Sequence, residues 1–293
     1  MRKPPRKRPA EKAPQQQPGE ASGPAPIKPN GVFAVYKPSD WSSTDVVTRV
    51  KNVLDKGYRA QLHKANGGTG KPPRPKRRAK PLVKCGHGGT LDKLATGVLV
   101  LGVGNGTKSM KNFLSGNKVY LGKGMLGVAT DTLDTEGKVM ETLDCSHITK
   151  EMVEAALEDF KGDIMQVPPM YSALRVQGKR LYELAREGKQ VEREPRPVVI
   201  YRLEAIWDDV ELPAFKLFVE CSGGTYIRTL MADLGAALGS CAHMTSLERQ
   251  QQGSFTLNEC LPKEEWEFET LMSHLAKANE MGPDASITKP NAA

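Results

Sequence analysis

The sequence is poor in cysteine, in aromatic side chains and in long apolar runs, and each shortage removes a class of protein. Its 293 residues hold five cysteines, Cys85, Cys145, Cys221, Cys241 and Cys260, an odd number with no Cys-x-x-Cys pair. Neither a disulfide framework nor a zinc ribbon is expected. No apolar stretch approaches the roughly 18–20 residues of a membrane span, and the N-terminus is rich in Arg and Pro without a signal-peptide core. A soluble intracellular protein with no membrane partner is the expectation. The five histidines, His63, His87, His147, His243 and His274, never fall at the i, i+4 spacing of a helical metal pair, so neither a metal nor another cofactor is expected. What is present is 39% apolar residues, enough for a core in one or two domains, and 42 Lys and Arg against 34 Asp and Glu, a formal charge of +8. That excess points to an anionic partner.

The excess sits in two segments. Residues 1–30 carry seven basic side chains against Glu11 and Glu20, with eight of the 21 prolines, and read as a disordered tail. Residues 71–84 (KPPRPKRRAKPLVK) carry seven more basic groups, four prolines and no acid, and overlap a basic loop insertion placed at about 56–82. The rest of the chain is formally −4. Such segments read equally as solvated linkers, and the sharper readings are nuclear import and phosphate contact, a salt-sensitive grip on nucleic acid that does not read sequence.

Between these segments and the C-terminus the pattern alternates strands and helices. Gly31–Tyr36 is a short apolar strand, and Ser42-Ser43-Thr44 offers N-caps to a helix with Val46, Val50 and Leu54 inward. Strands are predicted at 98–103, 118–128, 137–143, 198–207 and 214–221. Helices are predicted around 110–114, 149–160 and 178–187, and from 227 to the stop at Gly239. Strands in pairs with interspersed helices favour an α+β fold with a largely antiparallel sheet. The folded body is placed at 31–272, followed by a flexible tail at 273–293.

Three glycine patterns suggest a nucleotide site and fail on inspection. Gly102–Ser109 (GVGNGTKS) inserts Thr107 between the glycine and lysine a P-loop needs adjacent, and Gly67–Pro72 puts Pro72 at the hydroxyl position. Gly122–Gly127 matches G-x-G-x-x-G, but a turn-rich stretch follows where a dinucleotide site requires a helix. Gly86–Gly97 (GHGGTLDKLATG) differs in kind. Its glycines allow close approach of backbone to a ligand, and one acid, Asp92, lies between Leu91 and Leu94 just before an apolar strand. A carboxylate in apolar surroundings is costly unless paired. Read alone, Asp92 fits an Asx turn as well as a catalytic group, and His87 fits a loop histidine with one hydrogen bond.

The segment KCGHGGTLDKLATGVLVLGVG resembles the catalytic motif of the TruB family of tRNA pseudouridine synthases. Three further blocks follow in the family's order. Lys118-Val119-Tyr120 with Gly127–Gly137 (GVATDTLDTEG) is similar to K-x-Y and G-x-x-T-D-T-x-D-x-x-G, Val167–Arg175 leads into Leu181–Gly188, and Cys221–Leu230 (CSGGTYIRTL) is the last. Lys37–Ser43 (KPSDWSS) departs from K-P-x-G-x-T-S, and Leu247-Glu248-Arg249 from L-R-R. The resemblance implies a pseudouridine synthase fold, with a central mixed, mostly antiparallel β-sheet flanked by helices. It implies isomerisation of the T-loop uridine of tRNA, position 55, without metal or cofactor.

By the same resemblance Asp92 is the nucleophile, Arg228 its ion-pair partner, and Tyr120 the aromatic that stacks on the target base and assists proton transfer. Tyr226 supports the pair, Leu247 walls the pocket, and His87, Gly88, Thr90 and Lys118 contact substrate. A target base buried in stacked RNA must first be flipped out, and His87 would fill the vacated place. The stretch after the last motif leaves no room for a PUA domain, so the chain fits the stand-alone branch of the family. A monomer working on the tRNA T-arm without guide RNA is expected, in the nucleus, with cytoplasm or mitochondria as further compartments. Messenger RNA and other T-arm-like stem-loops are additional candidate substrates, and a tRNA-binding chaperone or scaffold with incidental catalysis is the alternative.

Overall fold

The computed structural model describes residues 25–73, 80–176 and 178–280. In chain order the strands are β1 (Gly31–Lys37), β2 (Cys85–His87), β3 (Thr96–Val103), β4 (Lys118–Leu126), β5 (Val128–Thr130), β6 (Val139–Thr142), β7 (Gly162–Gln166), β8 (Arg175–Val176), β9 (Lys179–Arg180), β10 (Arg196–Ala205), β11 (Ala214–Cys221), β12 (Ala242–Gln252), β13 (Phe255–Thr256) and β14 (Cys260–Leu261). The helices are α1 (Ser43–Ala65), α2 (Met110–Ser115), α3 (Lys150–Leu157), α4 (Leu181–Arg186), α5 (Ile227–Ala237) and α6 (Phe268–Glu280). One sheet runs β14-β1-β3-β12-β4-β11-β10-β7, with β2 on β3 and β13 on β12, while β5–β6 and β8–β9 form separate hairpins. The β1–β14 and β3–β12 pairs are parallel and the other pairs antiparallel. This is the expected mixed, mostly antiparallel α+β architecture.

Two apolar clusters hold helices to the sheet. Val46, Val50 and Leu54 of α1 and Leu271 and Leu275 of α6 pack with Phe33, Val35, Leu99 and Leu101. Ile227, Leu230, Met231 and Leu234 of α5 pack with Leu217, Val219 and Leu247. These stripes are the ones helical spacing predicts for α1 and α5. Ser42 caps α1 with a reciprocal Asp45 bond, and Thr149 caps α3. The first two glycines of the G-x-G-x-x-G match lie on β4 and Gly127 just follows it; a Cβ on Gly122 would stand 2.7 Å from Met231 Cε, and one on Gly124 would collide with the Phe215 ring. They admit neighbouring side chains rather than a dinucleotide.

The structure moves three of the expected boundaries. Residues 56–65, assigned to the basic loop, continue α1, because Tyr58 packs on the apolar cluster and the helix is closed only at Asn66. The return limb is tied to the same helix, with Asp55 Oδ1 accepting from the amides of Leu82 (2.5 Å) and Val83 (3.2 Å). Arg74, Lys76, Arg77 and Arg78 lie outside the described residues. Asn30, placed in the tail, accepts from the Asn105 amide at 2.8 Å, and residues 1–24 are outside the description. At the other end α6 runs to Glu280, with Leu275 only 2% exposed, so residues 273–280 belong to the folded body, and 281–293 lie outside the described residues.

Candidate active site

The Gly86–Ala95 segment crosses between β2 and β3 and is held from both sides by the body of the protein. From the β1–α1 connection, Lys37 Nζ donates to the carbonyls of Pro38 (3.0 Å), Lys93 (3.0 Å) and Ala95, while the Asp40 amide donates to Lys93 O at 3.0 Å. Ser43 Oγ accepts from the Leu91 amide at 2.9 Å. Asp40 has φ of 65° where the family pattern has Gly, a left-handed conformation that Asp tolerates better than most residues. From β12, Arg249 Nε donates to Val98 O (2.7 Å) and Nη2 to Gly89 O (3.2 Å), while Gln252 Nε2 donates to Gly88 O (2.8 Å) and Phe113 O (3.2 Å). A Cβ on Gly88 would stand 2.4 Å from Phe113 Cβ, so only glycine lets α2 approach. Buried donors thus satisfy the carbonyls of a loop that has no regular pairing of its own.

This clamping presents Asp92 to the N-terminus of α5. Arg228, 3% exposed, places Nη2 3.1 Å and Nε 2.9 Å from the two Asp92 carboxylate oxygens, with hydrogen-bond alignment at Nη2. Its other contacts fix the guanidinium. Nη1 donates to Thr132 O at 2.7 Å, Nη2 also donates to Tyr171 O at 2.8 Å, and a second buried carboxylate, Asp134 Oδ2, lies 3.3 Å from Nη1. Asp134 is itself set by Thr132 Oγ1 (2.5 Å) and the Glu136 amide (3.0 Å). A fixed fork between two carboxylates and two carbonyls gives directional, charge-assisted bonds that a lysine would not reproduce.

About a third of the Asp92 side chain stays open, at 34% exposure. The packed loop nonetheless desolvates the carboxyl and pushes its pKa up, Arg228 pulls it down, and Asp134 pushes it up further. Tyr120 on β4 pairs in register with Arg249, and burial raises its phenol while the Arg249 charge opposes the rise. Tyr226 caps α5; Gln166 on β7 grips it through Oε1 to the Tyr226 amide (2.7 Å) and Nε2 to its carbonyl (3.0 Å). Burial also raises the Tyr226 phenol, with the Asp92 charge adding to the rise. His87 Nδ1 accepts from the Gly89 amide at 3.3 Å, and burial, then Arg249, lower its pKa and favour the neutral ring. Leu247 is buried, and Thr90 is exposed on the loop.

A cleft of about 600 Å³ meets this loop at Leu94 and Thr96 and is walled by Leu121, Leu247, Glu136 and Glu248 among others. Asp92 is not in its lining. Lys118 does not belong with the substrate-facing groups. Its Nζ is buried under α2, donating to Leu114 O (3.0 Å) and Gly116 O (2.6 Å), and burial takes its pKa down to about 8. Asp134, Arg249, Gln252 and Lys37 are the members that sequence reasoning did not single out. Asp134, Lys37 and Arg249 stood inside quoted motifs; Gln252 gave no signal beyond residue type. Among the described residues no group of three His, Cys, Asp or Glu could hold a metal ion.

Comparison with known proteins agrees with this geometry at the levels of fold and family. The chain superimposes with a TM-score of 0.58 and 24% identity on a structure described as "Crystal Structure of a Cbf5-Nop10-Gar1 Complex", covering 85% of this chain and 59% of that one. A second, "Structure of H/ACA RNP bound to a substrate RNA containing 2'-deoxyuridine", gives 0.53 and 22%, covering 81% and 52%. The chain spans little more than half of each, and these likenesses establish the pseudouridine synthase fold. Residues 76–227 match the TruB family pseudouridylate synthase N-terminal domain. Pseudouridylate synthase TRUB1 of Homo sapiens is 44% identical over 256 residues, 87% of this chain and 70% of that protein. tRNA pseudouridine synthase B of Clostridium tetani is 39% identical over 251 residues, 86% and 77%. The chain belongs to the TruB family of pseudouridine synthases.

Proposed function

We propose that this chain, a tRNA pseudouridine synthase, uses Asp92 as its nucleophile on the T-loop uridine. The observation that carries the reading is the Asp92–Arg228 pair, a partly open carboxylate gripped by a buried guanidinium that Asp134 holds in place. The reaction breaks N1–C1′, turns the base and forms C5–C1′ with no change in atoms or redox state, so it asks for positioning, charge and proton transfer. A carboxylate can bond covalently to the nucleotide and later leave, dividing one difficult step into easier ones. Arg228 keeps the attacking carboxylate ionised against desolvation, and the α5 N-terminus adds its partial positive charge. Tyr120 stacks on the base and passes a proton at the sugar; neutral His87 fills the space the flipped nucleotide leaves. Leu247 walls the base pocket, Tyr226 fixes the start of α5, and Thr90 faces the RNA, while Gly88, expected to contact substrate, is buried against Phe113 of α2 and supports the loop from behind.

The remaining assignments go with this reading. The chain acts as a monomer on the T-arm without guide RNA, in the nucleus, and reaches other stem-loop RNAs that imitate that arm. Asp92→Asn should abolish pseudouridine formation in a purified tRNA assay while tRNA affinity stays within a few-fold. Full activity of that variant would overturn the assignment, and retained tRNA refolding without catalysis would favour the chaperone alternative.

A further inference from the structure

The charge of the molecule is divided more sharply than a tail and a loop can account for. From Ser43 to Lys118 there are 16 Lys and Arg against three acids, Asp45, Asp55 and Asp92; from Val119 onward there are 18 against 28. Outside residues 71–84 the first stretch still has nine basic groups against those three acids. The formal −4 of the body averages a cationic part with an anionic one.

Each of the three acids is already engaged. Asp45 serves the α1 cap, Asp55 holds Arg59 at 2.6 Å and the Leu82 and Val83 amides, and Asp92 faces Arg228. Lys84, Lys108 and Lys111 are exposed, and among the described residues none has a carboxylate within 4.0 Å. The fold gathers them. The Lys84 carbonyl accepts from the Gly104 amide at 2.9 Å, Gly104 opens the 3₁₀ turn that carries Lys108, and that turn runs into α2 with Lys111. Phe113 of α2 lies against Gly88 of the catalytic loop, and His87 follows Lys84 by three extended residues, about 10 Å. A solvated surface normally intersperses both signs; this one has no acid along the whole stretch from Lys93 to Lys118.

We propose that Lys84, Lys108 and Lys111 form a phosphate-binding face for the RNA backbone, beside the site that receives the target uridine and separate from it. The inference rests on the reading of the chain as an RNA-modifying enzyme. The unopposed positive charge of this face draws the approaching polyanion to the surface beside the loop that carries Asp92. Lysines acting as point charges on phosphate add affinity and salt sensitivity and leave the chemical step alone.

The test is the triple variant K84Q/K108Q/K111Q, with K150Q/K161Q/R202Q, which removes the same charge from the surface around α3 and β10, as control. With full-length tRNA the first should raise KM about tenfold or more at moderate salt, keep kcat at saturation within about twofold, and reduce the slope of log affinity against log salt by about two units. The control should match the parent. A T-arm stem-loop assayed in parallel locates the phosphates: a matching rise in its KM places them in the stem, and an unchanged KM places them in the rest of the tRNA. An unchanged slope and KM with tRNA, or an equal loss in the control, overturns the proposal. Filter binding to tRNA reads the same slope without turnover, so an inactive parent would defeat the enzymatic reading and leave the face separately tested.

Discussion

At the scale of single residues the site is a problem of buried charge. Arg228 is surrounded by Asp92, Asp134 and two backbone carbonyls, and it sets the charge on a carboxylate that burial works against. A carboxyl with a raised pKa is ionised, and competent to attack, only above that raised value, and activity falls as pH drops through it. Asp134 contributes to the rise. Asp134→Asn should therefore move the acid limb of the single-turnover rate to lower pH, together with some loss of rate as Arg228 loosens. A limb that stays in place would show that the two carboxylates do not communicate. The sequence made Asp92 and Arg228 visible because their motifs are short and contiguous. It could not show that Asp134, 42 residues beyond Asp92, shares the same guanidinium, since that depends on how the β5–β6 hairpin folds over α5.

At the scale of elements, the apolar periodicities of β1, β3, α1 and α5 were legible because their burial is one-sided and their residues aliphatic. Strand β12 was not. Its sequence, AHMTSLERQQQ, carries His243, Arg249 and Gln252 inward, all of them buried, because it lies beneath the catalytic loop and must supply donors to carbonyls there. A strand whose interior work is hydrogen bonding has no alternating hydrophobic pattern to read. Helix α6 was not predicted, and the expected end of the body at 272 falls inside it, for a different reason: its polar outer face resembles a tail until Leu271 and Leu275 are seen against β1 and α1. Leu275→Ala should cost about 2–5 kcal/mol in urea unfolding, the range for deleting a buried leucine side chain. A change within about 0.5 kcal/mol would return 273–280 to the tail.

At the scale of the molecule, the layout separates grip from chemistry. Positive charge is concentrated in residues 1–30, in residues 71–84 and in the face proposed for Lys84, Lys108 and Lys111, while Asp92 faces Arg228 at the start of α5. Deleting residues 71–81 should weaken tRNA binding and flatten its salt dependence, each lost phosphate contact lowering the slope by about one unit or less. Turnover at saturating RNA should change little. An unaltered slope in a salt titration would make the segment a spacer.

The sequence by itself determined the family and the order of most elements and singled out Asp92 as the candidate nucleophile, because motifs and helix periodicity are written over short distances along the chain. Only the tertiary structure decided which buried donors hold the loop that carries Asp92, that Lys118 is spent on backbone carbonyls, and that Lys84, Lys108 and Lys111 are brought together beside that loop. Those features join residues tens to hundreds of positions apart. Burial and hydrogen-bond satisfaction assign their roles, and neither is a property of local composition.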